Sequence, residues 1–154
     1  MQKGAKDYLF VALQALGFIA FCLPVRYPLP QYQPFPVIHG FLMAFGVILV
    51  LLAFWRLRDN LTPWPTPKKN AELVQSGIFK LVRHPIYSGL FLFLAGWAFW
   101  QNNAYQLLLA VMLMVLFYFK SRYEETRLQI KFPDYAQYRK NTGRFFPRLK
   151  LQRS

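Results

Sequence analysis

The chain has 154 residues, 55% of them hydrophobic and 19% aromatic, with a formal net charge of +13. Apolar content this high beside so large a basic excess excludes an ordinary soluble domain. The apolar residues gather in long runs and the charges lie between and after them, the pattern of an integral membrane protein.

The first span is predicted from about Tyr8 to Leu23. It ends in Leu23-Pro24-Val25-Arg26 with no small-residue cleavage site, so it reads as a retained helix and not a removed signal peptide. Cys22, the single cysteine, excludes an internal disulfide and a multi-cysteine metal site, and reads as small apolar filler in that helix. A proline-rich loop follows (Pro24, Pro28, Pro30, Pro34, Pro36), and the second span runs from about Val37 to Trp55. The third runs from Pro85 to about Trp100 and the fourth from about Ala104 to Phe119. The link Gln101-Asn102-Asn103 is a tight turn that makes the last two an antiparallel hairpin. Spans one, three and four are short for a hydrocarbon core of roughly 30 Å, and flanking Tyr, Trp and Arg extend them into the interface. Residues 1–154 thus read as one all-α, polytopic membrane domain with four transmembrane helices.

Eighteen of the nineteen basic residues lie on one side of these spans. They are Lys3 and Lys6, then Arg56, Arg58, Lys68, Lys69, Lys80 and Arg83, then the tail from Lys120 through Lys150 to Arg153. Only Arg26 lies opposite. The positive-inside rule places both termini and the central loop in the cytoplasm, and the inner (cytoplasmic) membrane is the expected location. All six acidic residues share that side, so any chemistry is expected there. The basic excess suits anionic headgroups, so membrane lipids are expected partners. No nucleic-acid recognition module is visible. Oligomeric state is not read from the sequence.

Two polar clusters flank the last hairpin. In Leu81-Val82-Arg83-His84-Pro85-Ile86-Tyr87-Ser88-Gly89, Pro85 suits the first position of a helix, whose free N–H groups favour an anion. Arg83 adds a planar cationic fork. Ser88 and Gly89 permit close approach of a helix or ligand. The second cluster, Lys120-Ser121-Arg122-Tyr123-Glu124-Glu125, supplies two carboxylates. Counting from Asn102 puts them about one turn deeper in the cytoplasm than His84, with one glutamate facing inward. Helix N–H groups, Arg and His against carboxylates suit a ligand carrying both an anion and a cation. The simpler reading is an interfacial anchor, with Arg83 and His84 at headgroup level and the glutamates solvated. Lys131 to Tyr138 reads as a short amphipathic cytoplasmic helix on the membrane surface, with Tyr135 and Tyr138 on one face. Thr142 to Pro147 is placed to fold back over the pocket.

The order Leu73-Val74-x-Ser-Gly77-Ile78-Phe79, then Arg83-His84-Pro85-x-Tyr87-x-Gly89, a span hairpin, Glu124-Glu125 and a Tyr-x-x-Tyr segment resembles the isoprenylcysteine carboxyl methyltransferase family and its phospholipid methyltransferase relatives. The resemblance covers about residues 71–147. It implies S-adenosylmethionine as cofactor at the cytoplasmic ends of the last spans. It implies that Leu73 and Val74 line an adenosyl pocket, with Phe79 where the family often has tyrosine. His84, Pro85, Ile86 and Tyr87 form the core cofactor motif, Glu124 or Glu125 holds the amine or ribose, and the cofactor's carboxylate suits the helix N–H groups and Arg83. It places a functional arginine at Arg122, with His84 and Glu125 as the other catalytic candidates. The polar ligand often found before Leu73 is replaced by Ala71 and Glu72. The sulfonium suits the faces of Tyr87 or Phe79.

No Gly-x-Gly-x-x-Gly loop appears, and no His, Cys and carboxylate set has metal-ligand spacing, so no metal is expected. The acceptor is expected to be a lipophilic carboxylate, thiol or lipid amine that enters from the bilayer. Two alternatives stand beside this reading: a nicotinamide-dependent membrane reductase of the sterol type, and a non-enzymatic membrane scaffold. Cofactor binding separates the three.

Overall fold

A computed structural model describes residues 2–30, 32 and 35–148 of the chain. Pro34, Lys150 and Arg153 of the sequence reading lie outside the described residues. Among the described residues the chain is all-helical. Its helices are α1 (Ala5–Cys22), α2 (Pro36–Leu57), α3 (Pro85–Trp100), α4 (Ala104–Lys131) and α5 (Tyr135–Asn141), with 3-10 turns at Arg58–Asn60 and Gly77–Lys80. α1, α2 and α4 are long and apolar enough to cross a membrane, while α3 is a shorter apolar helix of 16 residues. In position, α1 to α4 coincide with the predicted spans, and α4 continues past Phe119 to Lys131.

Helix ends follow local chemistry. Pro85 opens α3, with His84 just outside it. The α3–α4 turn has Asn102 at φ 48°, a left-handed conformation that asparagine tolerates. Asn103 caps α4 by accepting from the Tyr105 N–H at 3.1 Å. Its amide also donates to the Val25 carbonyl at 2.8 Å, tying the α1–α2 connection to this turn. α4 stops before Phe132-Pro133, because the residue preceding a proline disfavours helical backbone.

α2 packs on α3 through glycine. A Cβ on Gly89 would stand 2.5 Å from the Gly46 carbonyl oxygen, and one on Gly46 would stand 2.5 Å from that of Gly89. Small residues let backbones approach where dispersion, not the hydrophobic effect, drives helix association. Phe21 of α1, Leu94 of α3, and Ala110, Leu113 and Phe117 of α4 form the core. Large apolar side chains such as Leu16, Phe41, Leu51 and Leu108 are exposed on the outer faces. Cys22 is also exposed, as the last residue of α1, and is not enclosed by protein. At the end away from the polar clusters, buried His39 lies 2.6 Å from the Tyr32 hydroxyl and stacks on Phe99.

Candidate functional site

The first turn of α3 and the last third of α4 meet through Glu125. This carboxylate is 1% exposed. It accepts from Arg83 Nε at 3.0 Å and from Arg144 at 2.8 Å (Nη2) and 3.2 Å (Nε). Arg139 Nε lies 3.7 Å away. His84 Nε2 stands 3.2 Å from Oε1, and since a carboxylate only accepts, the proton sits on Nε2. Arg83 also donates to the carbonyls of Arg139 and Thr142. Glu125 thus joins α3, α4, α5 and the segment after α5.

That segment runs back along residues 82–84. Arg83 N–H donates to Gly143 O at 2.9 Å and His84 N–H to Arg144 O at 3.0 Å, beside a parallel bridge between Val82 and Gly143. Ser88 Oγ donates to Phe145 O at 2.8 Å. The segment returns to the start of α3 as expected, but it supports His84 from behind and does not line the cavity.

Glu124 takes a different role from its neighbour. It accepts from the Tyr87 hydroxyl at 3.1 Å, and His84 Nδ1 lies 3.8 Å from it. The imidazole therefore sits level with both carboxylates and not a turn above them. Side chains on α4 lean toward the helix N-terminus, which closes the axial offset counted from the turn. Tyr87 stacks on His84 (5.5 Å, 10°) and on Phe117 (4.8 Å, 10°), so the column is rigid.

Beside this column lies a cavity of about 360 Å³, within the range of small-molecule sites. Its lining includes Leu73, Val74, Phe79, Arg83, His84, Pro85, Ile86, Tyr87 and Glu124. Nine of the ten residues expected to bind cofactor are therefore brought to one space, and Glu125 sits behind them. Arg122 is not brought there. It is exposed, with its guanidinium 5.9 Å from the Tyr118 ring centre. Two residues before Glu124 is roughly 200° around a helix, so the two side chains face opposite ways. Arg144, Arg83 and Arg139 are the arginines that reach the glutamate.

Other walls come from residues that the sequence reading does not assign to the cofactor: Trp64 in the loop after α2, Gln14 on α1, Lys120 on α4, and Tyr135 and Tyr138 of the Tyr-x-x-Tyr segment on α5. Asp7, 0% exposed, holds that loop by accepting from Thr66 N–H at 2.8 Å. Lys120 is signalled in the sequence, four residues before Glu124 and hence on its face. Gln14 and Trp64 carry no such signal, because their partners are distant in the chain. The two α5 tyrosines turn inward against the site. The Tyr138 hydroxyl donates to Phe79 O at 2.6 Å, whereas the buried Tyr135 hydroxyl has no partner among the described residues. Burial pushes both phenols above the usual tyrosine value, so they remain protonated.

A family model described as phospholipid methyltransferase matches residues 36–134, more than half of the chain. The match takes in α2, which the motifs do not include, and ends before α5. The cobalt-zinc-cadmium resistance protein CzcN of Cupriavidus metallidurans is 37% identical over 87 residues, 56% of this chain and 40% of its own length. The nickel-cobalt-cadmium resistance protein NccN of Alcaligenes xylosoxydans xylosoxydans is 33% identical over 88 residues, 56% of this chain and 41% of its own. These matches span about two fifths of the length of the curated relatives.

Proposed function

The chain belongs to the phospholipid methyltransferase family, and on that premise we propose that it is an S-adenosylmethionine-dependent methyltransferase acting on a lipophilic acceptor. The reading includes α1 to α4 in a bilayer, with the His84 end in the cytoplasm, on the one-sided placement of Lys and Arg. The observation that carries it is the gathering of the motif residues from Leu73 to Glu124 around one cavity.

The donor set fits this cofactor. The Ile86 and Tyr87 N–H groups lie in the first turn of α3, where no intrahelical acceptor exists, and suit a carboxylate. Glu124 suits an amine or a ribose hydroxyl. The Tyr135 hydroxyl, buried without a protein partner among the described residues, is a donor that a polar ligand would satisfy. Leu73, Val74, Phe79 and Trp64 offer apolar and aromatic walls for a purine. When bound, the cofactor supplies an activated methyl: the acceptor's lone pair bonds to the carbon while the C–S electrons return to sulfur, leaving a thioether. The chain's part is then alignment and exclusion of water. His84 and Tyr87 are fixed by stacking and by the two glutamates, which suits a positioning role. The names of the two relatives concern metal resistance. Among the described residues no group of three or more His, Cys, Asp or Glu is placed to hold a metal ion, so the proposal rests on the family and the cavity.

Calorimetric titration of the purified protein with S-adenosylhomocysteine tests this, beside Glu124→Ala and with NADPH as a second titrant. Micromolar binding that falls at least tenfold in the variant is the expected result. Folded protein that binds only the nicotinamide nucleotide, or neither, overturns the assignment.

A further inference from the structure

One wall of the cavity is a loop whose sequence leaves it few ways to be held. Residues 62–67 read Thr-Pro-Trp-Pro-Thr-Pro. Each proline fixes its own φ, lacks an N–H and restricts the residue before it, so the loop is stiff. Between Pro63 and Pro67 only Trp64 and Thr66 carry a backbone donor. The Trp64 N–H turns back on Thr62 Oγ1 at 3.3 Å. The Thr66 N–H is the one left for another segment, and Asp7 Oδ1 accepts it at 2.8 Å. Asp7 Oδ2 accepts from Gly4 N–H at 2.9 Å and from the Tyr123 hydroxyl at 3.4 Å. Asp7 and Thr66 are both buried, so an apolar residue at position 7 would leave the Thr66 N–H without an acceptor.

Two residues before Thr66, the Trp64 indole stands in a partition. Leu61, Thr62, Pro63, Trp64 and Pro67 line the cofactor cavity on one side and a second cavity on the other. Lys3 lines only the second, with its Nζ 4.4 Å from the indole centre. Tyr8 meets the same ring edge-on, with centroids 4.9 Å apart. Lys3 thus covers the indole from the side away from the cofactor cavity and leaves the cavity side open. A ring attracts a cation through the negative charge of its face. With an ammonium already on one face of Trp64, the other suits a flat uncharged ring better than a second cation such as a sulfonium.

We infer that Asp7 is a positioning residue for cofactor binding: through Thr66 it fixes the Trp64 indole, backed by Lys3, as the wall on which the cofactor's uncharged base stacks. The inference rests on the methyltransferase reading and deepens it. It makes the start of α1, which lies outside the matched residues 36–134, part of the cofactor site. Asp7 itself does not line the cavity, so it acts only through the loop. Because the loop is stiff, a shift at Thr66 is carried to Trp64 and is not absorbed between them.

The test titrates the purified full chain with S-adenosylhomocysteine, by calorimetry and by tryptophan fluorescence, below the melting transition of each variant. Trp64→Leu should weaken binding at least about tenfold, the scale of a lost base–aromatic stack. Trp64→Phe should stay within about threefold of the parent, since a stacking face remains, yet lose most of the ligand-induced fluorescence change. Methylthioadenosine, which keeps the base and lacks the amino-acid end, should give the parent the same fluorescence change. Asp7→Leu should weaken S-adenosylhomocysteine about tenfold and shrink the fluorescence change even at saturation, with Asp7→Asn between it and the parent. Asp7 variants that melt lower but keep parental affinity and fluorescence change would show a merely structural tie and overturn the inference. So would Trp64→Leu binding within about threefold of the parent. If Asp7→Leu does not fold, Asp7→Asn and the two Trp64 variants decide. NADPH separates this inference from the reading beneath it. Folded parent that binds NADPH and not S-adenosylhomocysteine, with the same Trp64-dependent signal, overturns the methyltransferase cofactor and leaves the base seat standing. Binding of neither overturns both.

Discussion

Replacing Glu125 should damage the fold, whereas replacing Glu124 should damage the site. Glu125 is enclosed by Arg83, His84 and Arg144, with Arg139 behind, and the Arg83 and Arg144 side chains are only 7% and 18% exposed. Glu125→Ala leaves two largely buried guanidiniums without their carboxylate. Breaking a buried ion pair from one side costs about 3–5 kcal/mol, a large part of a typical stability of about 5–15 kcal/mol. For a chain of this size each kcal/mol moves Tm by about 2–4 °C, so the variant should melt roughly 6–20 °C lower. Glu124 has a side chain 28% exposed and accepts one hydrogen bond, from Tyr87, so Glu124→Ala should cost about 1 kcal/mol and a few degrees. Tryptophan-fluorescence melting in one detergent, with S-adenosylhomocysteine titration of both variants below their transitions, separates the roles. Glu125→Gln should fall between, since it keeps an acceptor and loses the charge. A Glu125→Ala protein melting within about 1 °C of the parent would refute the argument that this carboxylate holds the four segments together.

The α2–α3 crossing gives a steric prediction. Gly89→Val should destabilise by at least about 1–3 kcal/mol, since its Cβ has only 2.5 Å to the Gly46 carbonyl oxygen, while Gly40→Ala, whose nearest contact would be 3.9 Å, should melt like the parent. The buried α5 phenols give a pH prediction. Both have folded values raised above the unfolded value of about 10, so the unfolded chain sheds their protons first. Their contribution is complete below about pH 10 and is lost as pH rises beyond it toward the folded values. Ultraviolet titration of phenolate should therefore show Tyr135 and Tyr138 ionising only as the protein unfolds, and Tyr138→Phe should flatten the alkaline loss of Tm. Normal ionisation of every phenol in folded protein would contradict the burial.

Much of the fold is written in local pattern. The apolar runs place α1 to α3 and the start of α4 to within a few residues, Pro85 fixes where α3 begins, and Gln101-Asn102-Asn103 fixes the hairpin, because each depends on residues adjacent in the chain. The motifs from Leu73 to Tyr87 also name eight residues that surround one cavity, as the helix start and the segment before it form a continuous stretch. What lies between distant segments is not legible in this way. Glu124 and Glu125 look alike in sequence, yet the rotation of α4 against α3 sends one to the cavity and the other into an arginine cluster. That cluster depends on Arg144, brought back only when the chain after α5 pairs with residues 82–84. The same rotation turns Arg122 outward. Gln14 meets Lys120 across most of the chain's length, through the packing of α1 on α4. The sequence by itself determined the helices and the kind of chemistry gathered at one end of them. Tertiary packing alone decided which charges are neutralised and which is left facing the cavity, because a buried charge is set by what surrounds it in space.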